Sequence, residues 1–156
     1  MSLIEDLLQL DLVERQLRGL QSRVQSARVY CRVQQRQMDD LIQRREELEL
    51  QRKQRQVAIS GHETDNLSVD ERMTKLRDDL NSASNTKQYS TVLEEMNTLK
   101  QSKASTDDLI LVEMTEIESV ETALEALSAE VDERETVLSA AKDELVEREA
   151  EIADRV

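Results

Sequence analysis

Apolar residues recur at every seventh position along most of the chain. Leu10, Leu17, Val24, Cys31 and Met38 form one row, and Val13, Leu20, Ala27, Gln34, Leu41 and Leu48 form a second row three places on. These rows are the a and d positions of a heptad. A period of about 3.5 residues, rather than about 3.6, predicts a helix supercoiled against a partner helix. The spacing predicts this first helix from about Ser2 to Ile59. Toward its end Arg45, Arg52 and Arg55 fall on the rows, where their stems can cover apolar surface while the charges reach water.

The next stretch, Ser60-Gly61-His62-Glu63-Thr64-Asp65-Asn66, is rich in turn formers and predicts a break. Ser68 and Glu71 have capping-box spacing, which predicts a short helix over 69–81 carrying Val69, Met73, Leu76 and Leu80 on one face. A second break is expected at Ser82-Ala83-Ser84-Asn85. Asn85 and Gln88 again have capping-box spacing, so a last helix is expected over 86–156. It carries Tyr89, Met96, Ile110, Ile117, Leu124, Val131, Leu138, Leu145 and Ile152 on one row, interrupted by Lys103. Val92, Leu99, Val120, Leu127 and Ala141 lie on the other.

Two sites could reverse the chain, 60–68 and 82–88. Reversal at 82–88 is favoured, because it gives arms of nearly equal length. The expected fold is therefore all-α: one domain over 1–156, a long, rod-shaped, antiparallel coiled-coil hairpin. Arm one is 2–59 plus the short helix 69–81, and arm two is 86–156.

Composition agrees with long helices. The 156 residues include no Pro, Trp or Phe and only two Tyr, and 35% are charged. A globular core of this size would normally contain large aromatics. The net charge of −13 is uneven. Residues 1–59 hold 11 Lys/Arg against 9 Asp/Glu, whereas residues 89–156 hold 6 against 19. Arg15, Arg18, Arg23, Arg28, Arg32 and Arg36 make a basic face with no acid among them. In a hairpin it would flank the acidic arm. The acidic total argues against DNA as a main partner, although this face could bind RNA phosphates. It offers only Tyr30 for stacking on bases, so a salt-bridged flank is the plainer reading.

Catalytic chemistry finds no support. His62 is the only histidine, expected in a loop, and the two glycines are isolated, so neither a Ser/His/Asp arrangement nor a phosphate loop can be assembled. Glu pairs such as Glu94-Glu95 read as solvated helix faces. Cys31 is the only cysteine. It reads as a small buried apolar residue more readily than as a redox switch. Gln34, Lys103 and Thr106 are polar seam positions that trade stability for alignment. The chain is expected not to be an enzyme, to hold no cofactor and to have no small-molecule substrate. No stretch approaches the ~18 apolar residues of a membrane span, so no membrane partner is expected and a cytoplasmic location is.

The most informative motif is Asn85-Thr86-Lys87-Gln88-Tyr89. It is followed by Glu95-Met96, Leu99-Lys100, Asp107-Asp108-Leu109-Ile110-Leu111, Met114 and Glu116-Ile117-Glu118. Over about residues 68–120 this order resembles the bacterial coiled-coil proteins that end in a four-cysteine zinc ribbon. Gln88 stands where that family usually has Glu, and neither Cys-x-x-Cys pair of the ribbon is present. Zinc is thus expected only with a ribbon downstream. The resemblance implies an adaptor or chaperone that binds an alternative sigma factor and flagellar or type III secretion components, with one branch linked to RNA. It makes Asn85, Lys87, Gln88 and Tyr89 a candidate docking tip. A homodimer through leftover seam is a further expectation, and a structural spacer is the plainest alternative.

Overall fold

The structure is a computed structural model that describes residues 2–155. It contains two helices, α1 (Leu3–Asn81) and α2 (Thr86–Arg155), which pack against each other as an all-α hairpin. No strand occurs among the described residues. Leu, Glu, Gln, Arg and Ala, with no Pro, favour uninterrupted helix. The Ser2 hydroxyl oxygen accepts from the Glu5 N–H at 3.2 Å, capping the first turn, where Glu5 and Asp6 complement the helix dipole.

The heptad seam runs without interruption through α1. Its buried and half-buried positions include Arg52, Arg55, Ile59, His62, Asn66, Val69, Met73 and Leu76, alternating by three and four. The break expected at Ser60–Asn66 is therefore absent, and 69–81 is the end of α1, not a separate short helix. The cause is packing. Each residue between Ile59 and Met73 that falls on an a or d position is at least half-buried, and burial along such a seam outweighs weak local preferences for turns. Gly61 costs a helix only about 1 kcal/mol, and Thr64 turns its hydroxyl back onto the Ser60 carbonyl at 2.9 Å instead of capping a new helix.

The reversal lies at 82–85. The last turn of α1 tightens, with the Ala83 N–H donating to the Leu80 carbonyl at 3.3 Å. Among the described residues no residue has positive φ, so this turn needs no left-handed glycine.

The chain divides into two units, one formed by the α1 portion up to Glu46 and the α2 portion from Ala126, the other by Glu47–Glu125. In the first, Met38, Val131 and Leu138 form a buried cluster with Leu41 and Ile42 against it. Arg28 meets Glu149 and Gln34 meets Arg134, which makes the pairing antiparallel. The second unit buries Leu48, Met73, Leu76 and Val120. Its pairs Arg55–Glu113, Asn66–Asp107 and Arg72–Glu95 also run antiparallel.

Candidate functional site

The tip starts from a cap. The Asn85 side-chain oxygen accepts from the Gln88 N–H at 2.9 Å, so Asn85 is the N-cap of α2. A full capping box would send the Gln88 side chain back to the Asn85 N–H. Here Gln88 reaches one residue further, and its Oε1 accepts from both the Ser84 N–H (3.1 Å) and the Ser84 hydroxyl (2.9 Å). The cap therefore orders the loop as well as the helix start. Lys87 and Tyr89 are exposed, Tyr89 at 46%. Tyr89 occupies the first seam position of α2, where the heptad row would make it a core residue, yet it is exposed. An open groove of about 460 Å³ lies at the tip, lined by Asp79, Ser82, Ala83, Lys87, Gln88, Thr91 and Val92 but not by Tyr89. The tip thus brings together the four sequence-predicted residues, three of them by local hydrogen bonding or by flanking a groove.

The basic face is less uniform than the sequence suggests. Arg15 pairs with Asp11 at 3.1 Å and Arg18 with Glu14 at 3.9 Å, both one turn away on α1. Only Arg28 of the six crosses to the acidic arm, meeting Glu149 at 3.3 Å with both side chains about half exposed. Arg23, Arg32 and Arg36 are exposed and make no ion pair among the described residues. The salt-bridged flank is therefore a single surface pair here, worth about 0.2–1 kcal/mol. The physical reason is heptad position: Arg15 and Arg36 project from the side of α1 opposite the seam, out of reach of α2.

Between those free arginines lies an apolar ledge that sequence reading passed over. Val29, Tyr30 and Val33 are 47%, 47% and 46% exposed. Val29, Arg32, Val33, Arg36, Gln37 and Asp40 line an open groove of about 320 Å³. The signal was available, since Val29 and Val33 are one turn apart and off the heptad rows.

His62 also differs from expectation. His62 lies on α1 at a half-buried seam position, not in a loop, because the heptad continues through it. Cys31 is half-buried with a free thiol. The polar seam residues find specific partners. Gln34, buried, accepts from Arg134 at 3.4 Å. Lys103 reaches out to Asp70 at 2.6 Å, and the Thr106 hydroxyl donates to the Ser102 carbonyl. Asn66, a turn former by local preference, donates to Asp107 at 2.8 Å, but its buried Oδ1 has no partner among the described residues.

Among the described residues no three His, Cys, Asp or Glu side chains could together hold a metal ion. No helix among them is long and apolar enough to cross a membrane. Comparison of the chain with protein-family models, with curated proteins and with solved structures gave no match.

Proposed function

We propose that this chain is a non-enzymatic protein-binding adaptor, and that its partner presents an acidic amphipathic helix. The observation that carries this reading is the exposed ledge of Val29, Tyr30 and Val33, with the unpaired Arg32 and Arg36 lining the same groove as Val29 and Val33. These residues lie off the seam, so the hairpin does not consume them. Apolar anchors spaced by one turn accept an amphipathic helix, and arginines beside them select one with acids at its edge. Helices hold such a surface rigidly and so reduce the ordering cost of binding.

The resemblance over residues 68–120 supplies the partner class: an alternative sigma factor, or a component of flagellar or type III secretion machinery. The tip around Lys87 and Tyr89 is a second contact for such a client. Calorimetric titration of a purified sigma factor or secretion stalk protein tests the reading. The V29E/V33E variant should weaken binding by about tenfold or more, as loss of central anchors does. Equal affinity in wild type, in V29E/V33E and in a K87E/Y89A tip variant would count against it.

A second reading rests on the same unpaired Arg23, Arg32 and Arg36, which could contact RNA phosphates. It predicts filter binding of RNA that falls steeply with salt. That binding should be lost in R23E/R32E/R36E and kept in V29E/V33E, the pattern opposite to that of a protein client.

A further inference from the structure

A second pair of apolar side chains stands off the seam, this one on α2. Leu111 and Met114 are 61% and 51% exposed, beside the seam positions Ile110, Glu113 and Ile117. Asp107 lies four residues before Leu111, and Glu118 and Glu125 lie four and eleven after Met114. Helical spacing therefore sets all five on one stripe, and all five are exposed. Glu118 and Glu125 make no ion pair among the described residues, and Asp107 uses one oxygen to accept from Asn66. The stripe lies in the longest base-free stretch of the chain, residues 104–133, which hold ten Asp/Glu and no Lys/Arg.

The chain thus carries both halves of one contact. The outer face of α1 presents Arg18, Val29, Val33 and Arg36 at spacings of eleven, four and three, again a single stripe, within residues 15–36 that hold six Arg and no acid. Set antiparallel with Val29 on Met114, Val33 falls on Leu111. Arg36, seven residues beyond Val29, falls on Asp107, seven before Met114. Arg18, eleven before Val29, falls on Glu125, eleven after Met114, and Gln25 falls on Glu118. Apolar meets apolar, and opposite charges close both ends. Parallel docking with Val29 on Leu111 would instead set Arg18 against Lys100 and Asp40 beside Glu121. Within its own copy the ledge runs alongside the part of α2 near Glu149, which Arg28 meets, so the stripe that fits comes from another copy.

We propose that the α2 stripe from Asp107 to Glu125 of one copy docks antiparallel on the Val29–Val33 ledge of a second copy. The inference rests on the reading of that ledge as a seat for an acidic amphipathic helix, and it names the chain itself as the first occupant. A client must displace this occupant, so self-association holds the ledge closed until a client competes for it. The two faces differ, which makes the contact heterologous: a pair of copies leaves one ledge and one stripe unused.

Sedimentation equilibrium of the whole chain, without client, tests this. The mean mass of the wild type should rise above 18.0 kDa with concentration. V29E/V33E blocks the ledge and L111E/M114E blocks the stripe, so each should remain a monomer, with helical circular dichroism retained. Mixed in equal amounts they should pair at twice 18.0 kDa, because one keeps a stripe and the other a ledge. R18E/R36E and D107R/E125R should each weaken the contact, and the four changes in one chain should restore it. A wild type that is monomeric at every concentration would overturn the proposal. So would an association that survives L111E/M114E, a mixture that stays monomeric, or a four-fold variant no stronger than either charge reversal alone. Calorimetric titration of the client separates this failure from failure of the ledge reading: L111E/M114E keeps the ledge, so its client binding stands or falls independently of self-association.

Discussion

Two stretches of the hairpin share one geometry and differ in what fills it. Around Val24–Met38 and Val131–Ala141, the seam buries Val24, Met38, Val131, Leu138 and Ala141, with Gln34 as the one buried polar side chain. Around Arg52–Asn66 and Lys103–Ile117, the same three-and-four spacing carries Arg52, Arg55, His62 and Asn66 on α1 and Lys103, Thr106 and Glu113 on α2. There, among the described residues, no side chain is fully buried. Heptad spacing therefore sets the direction in which side chains point, and their chemistry sets how much each layer contributes. The first stretch gains from apolar burial, about 1.5–3 kcal/mol for each large side chain. The second depends on Arg55 with Glu113 at 3.1 Å, Lys103 with Asp70 at 2.6 Å and Asn66 with Asp107 at 2.8 Å, all at least partly exposed. Partly exposed pairs of this kind add little, so the polar stretch should open more readily than the apolar one.

The contrast can be broken from the apolar side with the largest effect. Leu138→Ala leaves a cavity against Met38 and Val131 and should cost about 2–5 kcal/mol in urea unfolding. Replacing Arg52 by Ala should cost well under half of that. Equal losses would mean that the two stretches do not differ as described. Asn66→Leu works in the opposite direction. It removes a buried acceptor without a partner and leaves Asp107 exposed to water, so stability should rise by about 1 kcal/mol. A loss of similar size would show that the Asn66–Asp107 bond outweighs the orphaned oxygen.

Gly61→Ala sharpens the comparison further. Nothing lies within 4 Å of a Cβ placed there, and in a helix the change should stabilise by about 0.5–1 kcal/mol. A glycine holding a turn at positive φ would instead lose stability on this change. The smallest effect belongs to Arg28→Ala. Its pair with Glu149 is about half exposed on both sides, so the thermal midpoint should barely move and the change should stay below about 1 kcal/mol.

Much of this was legible in the sequence. The rows from Leu10 to Met38 and from Ile110 to Ile152 announce two helices with one seam each, and Asn85 announces the start of the second. What misled is local. Ser60 to Asn66 carries turn formers, and reading them alone predicts a break. Counting by three and four from Arg52 and Arg55 instead reaches Ile59, His62, Asn66, Val69 and Met73 without a slip. Tertiary burial along that seam overrides preferences of a few tenths of a kcal/mol per residue. The cross-hairpin partners were not legible, because choosing Asp107 for Asn66 or Glu95 for Arg72 requires the register of the two helices. The Val29–Val33 ledge was legible but looked like ordinary surface until its neighbours Arg32 and Arg36 proved unpaired.

The continuous seam through the polar stretch is the claim on which the rest depends, and backbone NMR of residues 57–73 addresses it most directly. Unbroken helical Cα shifts from Val57 to Met73, with slowed amide exchange at Ile59, His62, Asn66 and Val69, are the predicted result. Coil-like shifts and unprotected amides between Ser60 and Leu67 would contradict it and restore a hinge at that place.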